Sequence, residues 1–103
     1  MKVAINRCYG GFGLSKEVFA EMGIEWDGYG YVRNEDLGIS DDADYNEYRA
    51  HPKLIAAIEK VGEDMASGPL AEVHIVEIPD GISWEIDEYD GIEHIAETHR
   101  TWV

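Results

Sequence analysis

The sequence predicts an α/β or α+β domain: a small sheet of three to four strands, two covering helices and a C-terminal hairpin. Three observations predict this. Val3, Ala4 and Ile5 form a short apolar run near the start, the mark of a buried strand. Leu54, Ile55, Ile58 and Val61 fall on one face of a helix that Pro52 opens. Asp90-Gly91, flanked by stretches in which apolar and polar residues alternate, is a two-residue hairpin signal.

The elements follow in chain order. Behind the first strand, Ser15 is a natural N-cap for a helix from Lys16 to Met22, which Gly23 closes in a left-handed conformation. Val18, Phe19 and Met22 share the core face of that helix. Trp26-Asp27-Gly28-Tyr29-Gly30-Tyr31 alternates aromatics with turn residues, and periodicity leaves it open between a short strand and a folded loop. Residues 34–46 are polar and acidic and are predicted to be the most mobile stretch. The second helix starts at Pro52, and Met65 continues its stripe past Gly62, so it is predicted to reach Ala66 before Ser67-Gly68-Pro69 ends it. Residues 73–78 carry apolar side chains on both faces, the pattern of an interior strand covered by helices. Pro79-Asp80-Gly81 is a turn, and Trp84 and Ile86 alternate with acids in a half-buried strand. Ile92 to Glu97 returns as the second strand of the hairpin, although Ile92, Ile95, Ala96 and His99 also fit helical spacing. Nothing in the composition divides the chain, so residues 1–103 read as a single domain.

With 45% hydrophobic residues the chain can build a packed core. Cys8 is the only cysteine, which excludes an internal disulfide and points to a reducing cytoplasm. No apolar run approaches the ~20 residues of a membrane helix, and no signal peptide opens the chain. The net charge is −14, from 22 acidic residues against eight Lys and Arg, a field that disfavours direct binding to nucleic acid or to anionic membranes. The charge is uneven. Residues 1–34 hold four basic and four acidic groups, whereas residues 72–97 hold nine acids and no Lys or Arg. An anionic ligand therefore belongs near the first segment. The acidic C-terminal third is a solvated face or a docking face for a basic partner.

The segment Arg7-Cys8-Tyr9-Gly10-Gly11-Phe12-Gly13-Leu14-Ser15 is the candidate ligand site. Its glycines allow a sharp turn and close backbone approach, and a positive φ is expected at Gly11 or Gly13. The helix behind it presents unpaired N–H groups, an ordinary setting for a phosphate. Tyr9 and Phe12 offer flat faces for a base, Arg7 offers a cation, and Gly10, Gly11, Gly13 and Ser15 offer backbone and hydroxyl donors. Arg49 and Arg100 are further candidate anion holders. The segment fits neither the dinucleotide fingerprint nor the P-loop, which needs a Gly-Lys-Ser/Thr ending. The alternative is a tight strand-to-helix turn whose aromatics belong to the core.

Other constellations carry no chemistry. Cys8 lies far in sequence from every histidine that could serve as its base, and reads as a small buried residue. Asp42, Asp44 and Asn46 imitate the start of a calcium loop, but its central glycine would fall on Glu47 and its closing glutamate on Lys53. His94 and His99 have no cysteine nearby and a poor spacing for zinc. Glu85, Asp87, Glu88, Asp90 and Glu93 read as a solvated acidic face. No catalytic residue, metal site or cofactor is expected.

Four pieces resemble a group of small bacteriophage proteins: residues 2–15, Pro52-Lys53-Leu54-Ile55, Val76-Glu77-Ile78-Pro79-Asp80, and Glu88-Tyr89-Asp90-Gly91 with His99-Arg100-Thr101-Trp102. The group would place a capping Asp or Asn before Pro52, where this chain has His51. The resemblance brings a phage setting and no activity. In that setting, the glycine-rich loop leads to the first expectation, a non-enzymatic counter-defence protein of the host cytoplasm that sequesters a nucleotide-type immune signal at residues 7–15. The second expectation is an acidic inhibitor that occupies a basic host defence protein, as anti-CRISPR nucleic-acid mimics do, and the third is a small nucleotide-metabolising phage enzyme. Self-association is left open.

Overall fold

The computed structural model describes residues 1–98, and the candidate anion holder Arg100 lies outside the described residues, as do His99 and Trp102. Strand β1 (Lys2–Asn6) pairs antiparallel with β2 (Val73–Glu77), bringing Ile5 opposite His74 and Lys2 opposite Glu77. Between them come α1 (Lys16–Met22), a 3-10 turn (Asn34–Leu37), and helices α2 (Tyr45–Arg49), α3 (Pro52–Val61) and α4 (Glu63–Ala66). The hairpin of β3 (Trp84–Tyr89) and β4 (Ile92–Glu97) completes an α+β fold.

The local signals read in the sequence hold. Ser15 Oγ accepts the Val18 N–H at 3.4 Å, and Gly23 closes α1 at φ 73°. Pro52 occupies the first turn of α3, and His51 does cap it, its Nδ1 accepting the Lys53 N–H at 3.1 Å. Asp90 and Gly91 take φ values of 50° and 91°, the double left-handed pattern of a two-residue hairpin turn.

Other features differ from expectation. The helix predicted over residues 52–66 breaks at Gly62, whose φ of 94° and ψ of 144° cannot continue an α-helix, and restarts as α4. Residues 34–46, the stretch predicted to be most mobile, carry local order: the 3-10 turn buries Leu37 and Asp44 caps α2 by accepting the Glu47 N–H at 2.8 Å. The aromatic segment 26–31 is a folded loop, one of the two alternatives that its periodicity left open. The four strands form two two-stranded sheets rather than one. At the junction of β1 and β4, the Glu93 carboxylate accepts the Asn6 N–H at 2.7 Å.

The core lies between the helices and one face of β1–β2. Ala4, Leu14, Val18, Leu54, Ile58 and Ala66 are fully buried within it, and Phe19 meets Trp26 edge-on with ring centroids 5.0 Å apart. Burying each large aliphatic side chain contributes about 1.5–3 kcal/mol relative to leaving it in water. Trp84, Ile86 and Ile95 are only half-buried, because the hairpin stands against the body rather than inside it.

Candidate functional site

The junction that holds the hairpin also decides where the glycine-rich loop can go. Asn6, fully buried at the end of β1, donates through Nδ2 to the carbonyls of Gly91 (3.0 Å), Cys8 (3.1 Å) and Gly10 (3.3 Å), and its Oδ1 accepts the Glu72 N–H at 2.9 Å. Next to it Arg49, 1% exposed, donates to both oxygens of Glu93 (2.7 and 2.8 Å) and to the Ala4 carbonyl (3.1 Å). The guanidinium packs on the rings of Phe12 and Tyr45, 3.7 and 4.3 Å from their centroids. A buried charge must be paired to be tolerated, and here the pairing is bidentate.

This arrangement corrects several sequence expectations. Arg49 neutralises Glu93 and is not presented to an outside anion. Glu93 is 4% exposed and does not belong to the solvated acidic face. Phe12 gives its ring to Arg49 rather than to a base. The α1 N-terminus is closed, since Ser15 Oγ caps Val18 and donates to the Met65 carbonyl at 2.6 Å, and the Ser15 N–H is spent on Ala66. Neither Gly11 nor Gly13 has a positive φ. The glycine that the loop cannot do without is Gly10, because a Cβ there would lie 2.1 Å from the Leu70 carbonyl oxygen. Cys8 is half-buried, its thiol donating to that same carbonyl at 3.2 Å. Arg7 and Tyr9 are exposed, and they lie outside the hollow that Gly11 and Gly13 line.

The loop does border a cleft, on the side opposite Phe12. Gly11 and Gly13 form its floor with Gly28 and Gly68, and Tyr29, Tyr31, Pro69 and Leu70 form its walls, enclosing about 230 Å³. Three separate backbone segments meet here. The Leu14 N–H donates to the Gly30 carbonyl and the Gly68 N–H to the Gly13 carbonyl, both at 2.9 Å. A Cβ on Gly30 would sit 2.4 Å from the Leu14 oxygen, so the close approach requires glycine. The walls stand in water: Tyr29 is 76% exposed, Tyr31 57% and Leu70 78%.

Asp27 shapes this wall. Its carboxylate accepts the N–H groups of Tyr29 (2.8 Å), Gly30 (2.6 Å) and Tyr31 (3.1 Å). Partial desolvation pushes its pKa up, but the three backbone donors together outweigh that and hold it below the usual carboxylate value. A depressed carboxyl stabilises the fold above its unfolded pKa and loses that contribution as pH falls through the folded value. The loop is thus expected to loosen only in acid, below the ordinary aspartate value of 3.8. Asp27→Ala should produce the same loosening at neutral pH. The check is amide hydrogen exchange at Tyr29, Gly30 and Tyr31, which should quicken by roughly tenfold, the equivalent of one lost hydrogen bond. Behind the loop, burial pushes the Tyr48 phenol up to about 12, so it remains the donor to the Val32 carbonyl.

Of the candidate site residues, Gly11 and Gly13 line this cleft, whereas Arg7, Tyr9, Gly10, Phe12, Ser15 and Arg49 do not. The alternation of aromatics and glycines in residues 26–31 was the available signal for Tyr29 and Tyr31. Asn6 and Glu93 gave no local signal. A larger hollow, about 420 Å³, lies beside Lys2, Glu59, Gly62, Glu63, Ile75 and Glu77. Its lysine is bound to Glu59 at 2.6 Å, and Glu63 is engaged by the Ile75 N–H at 2.7 Å. Among the described residues no group of His, Cys, Asp and Glu has the geometry to hold a metal ion, and no helix is long and apolar enough to cross a membrane.

Compared with known families, with curated proteins and with solved structures, the chain matches none. The reading of function therefore rests on the site itself.

Proposed function

We propose that this protein is a non-enzymatic inhibitor that docks on a basic partner protein, with the tyrosine cleft supplying contact area and the acidic surface supplying steering. The observation that carries this reading is the cleft's lining: exposed Tyr29, Tyr31 and Leu70 over glycine, with no Lys, Arg or His among the described residues that line it. Exposed tyrosines around a shallow hollow are the composition of protein-binding hot spots. A net charge of −14 raises the encounter rate with a basic surface and opposes a phosphate. The phage resemblance supplies the setting, in which such an inhibitor would act against host defence in the host cytoplasm.

Sequestering a nucleotide-type signal is the second reading. It is favoured by flat tyrosine faces above a glycine floor, on which a base could stack. It leaves the phosphate without a cation in the lining.

Retention of proteins from a bacterial lysate on the immobilised chain, measured against salt, separates the two. A basic protein should be retained at low ionic strength and released as the Debye length falls from ~10 Å toward ~3 Å. Replacing the exposed hairpin acids Glu85, Asp87 and Glu88 together by Lys should weaken that retention. If no protein is retained and adenosine monophosphate or a cyclic nucleotide raises the melting temperature, the nucleotide reading replaces this one. The stabilisation then expected is about 2.7 kcal/mol at a hundredfold excess over Kd.

A further inference from the structure

Tyr31 is a wall of two hollows at once. On one side lies the glycine-floored cleft with Tyr29, Pro69 and Leu70. On the other lies a second hollow formed by Glu25, Trp26, Asp27, Tyr31 and Arg33. The first is apolar. The second joins two carboxylates to two aromatic side chains, and its one cation among the described residues, Arg33, is paired with Glu35 at 3.1 Å and Asp36 at 3.7 Å.

We propose that the two hollows astride Tyr31 form one groove for an extended segment of a basic protein, in which a proline or small apolar side chain precedes an arginine or lysine. This rests on the protein-docking reading above and names the chemistry that the docking selects. Three physical reasons converge. Grooves lined by aromatic side chains accept Pro-containing extended chains, which are already ordered and lose little entropy on docking. A guanidinium or ammonium entering the second hollow meets the Glu25 carboxylate and the faces of Trp26 and Tyr31, giving ion pairing and cation–π contact together. Asp27 has its oxygens committed to the Tyr29, Gly30 and Tyr31 N–H groups, so it holds the rim rigid and adds charge without being consumed. Charge complementarity selects this occupant over an acidic peptide, which the surrounding field repels.

The test is fluorescence anisotropy with a labelled synthetic peptide containing Pro-Pro-Leu-Pro-Arg-Arg, titrated with the full chain. Control peptides replace both arginines by serine or all prolines by aspartate. Binding is expected for the parent peptide, with at least a tenfold loss for each control. Tyr31→Ser should weaken it at least tenfold, Leu70→Ser and Glu25→Lys at least threefold, with unchanged far-ultraviolet circular dichroism and melting temperature because all three side chains are exposed. Equal affinity for the parent and serine peptides, or full affinity in Tyr31→Ser and Glu25→Lys, overturns the groove. If a basic lysate protein is retained equally by wild type and Tyr31→Ser but lost from the hairpin charge reversal, docking stands and the groove is wrong. If adenosine monophosphate binds and neither peptide nor protein does, the docking reading fails as well.

Discussion

Glu93→Ala is expected to destabilise the protein by about 3–5 kcal/mol, because it leaves Arg49 as an unpaired buried charge. Arg49 is 1% exposed and has lodged its guanidinium against Phe12, Tyr45 and Glu93, with Nε already lacking a partner among the described residues. The same substitution also strands the Asn6 N–H, which donates to Glu93 at 2.7 Å. Against a total stability of about 5–15 kcal/mol for a domain of this kind, that is a large fraction. The urea midpoint should fall sharply with little change in slope. Removing both partners, as Arg49→Met with Glu93→Leu, should recover much of the loss, since an apolar pair of similar volume replaces a desolvated ion pair. A loss below about 1 kcal/mol in Glu93→Ala would mean that the junction is wetter and looser than described.

Gly91→Val should be comparably damaging for a different reason. Gly91 has φ 91°, and a Cβ there would sit 2.0 Å from the Gly10 oxygen and 2.5 Å from its nitrogen. Left-handed strain costs about 1–2 kcal/mol for a residue with a side chain, and forcing the two backbones apart about 1–3 kcal/mol more. At roughly 4–8 °C per kcal/mol for a domain of up to about a hundred residues, the melting temperature should drop by at least ~10 °C. Gly81→Ala is the control: its φ of 83° carries similar strain, but its Cβ would meet nothing within 4 Å. Equal effects at both positions would show that the contact between Gly91 and Gly10 is not what makes glycine obligatory there.

The contrast between these residues shows what the sequence made legible. Ser15, Gly23, Pro52 and the Asp90-Gly91 turn act on neighbours a few residues away, so their chemistry is visible in a short window. Arg49 and Glu93 are 44 positions apart, and nothing near either of them announces the pair. The same holds for the split of four strands into two sheets, where β4 meets β1 through the Glu93 carboxylate and the Asn6 N–H, 87 positions apart. The cleft was half legible. The glycines of residues 10–13 marked a place of close approach, but the approach is to the protein's own backbone at Leu70. The flat faces beside it come from Tyr29 and Tyr31, on a loop that Asp27 folds. A period-based reading could not orient Phe12, whose ring turns inward because a buried guanidinium needs it.

A partner is expected to dock on the face built from Gly11, Gly13, Gly28, Tyr29, Tyr31 and residues 68–70. Hydrogen–deuterium exchange of the full chain, alone and in complex with the basic protein it retains, tests this most directly. Protection is predicted at Gly11, Gly13, Tyr29, Tyr31 and Leu70, with the outer strand β3 changed much less. Protection confined to residues 84–97, or to Arg7 and Tyr9, with the tyrosine cleft unaffected, would contradict it.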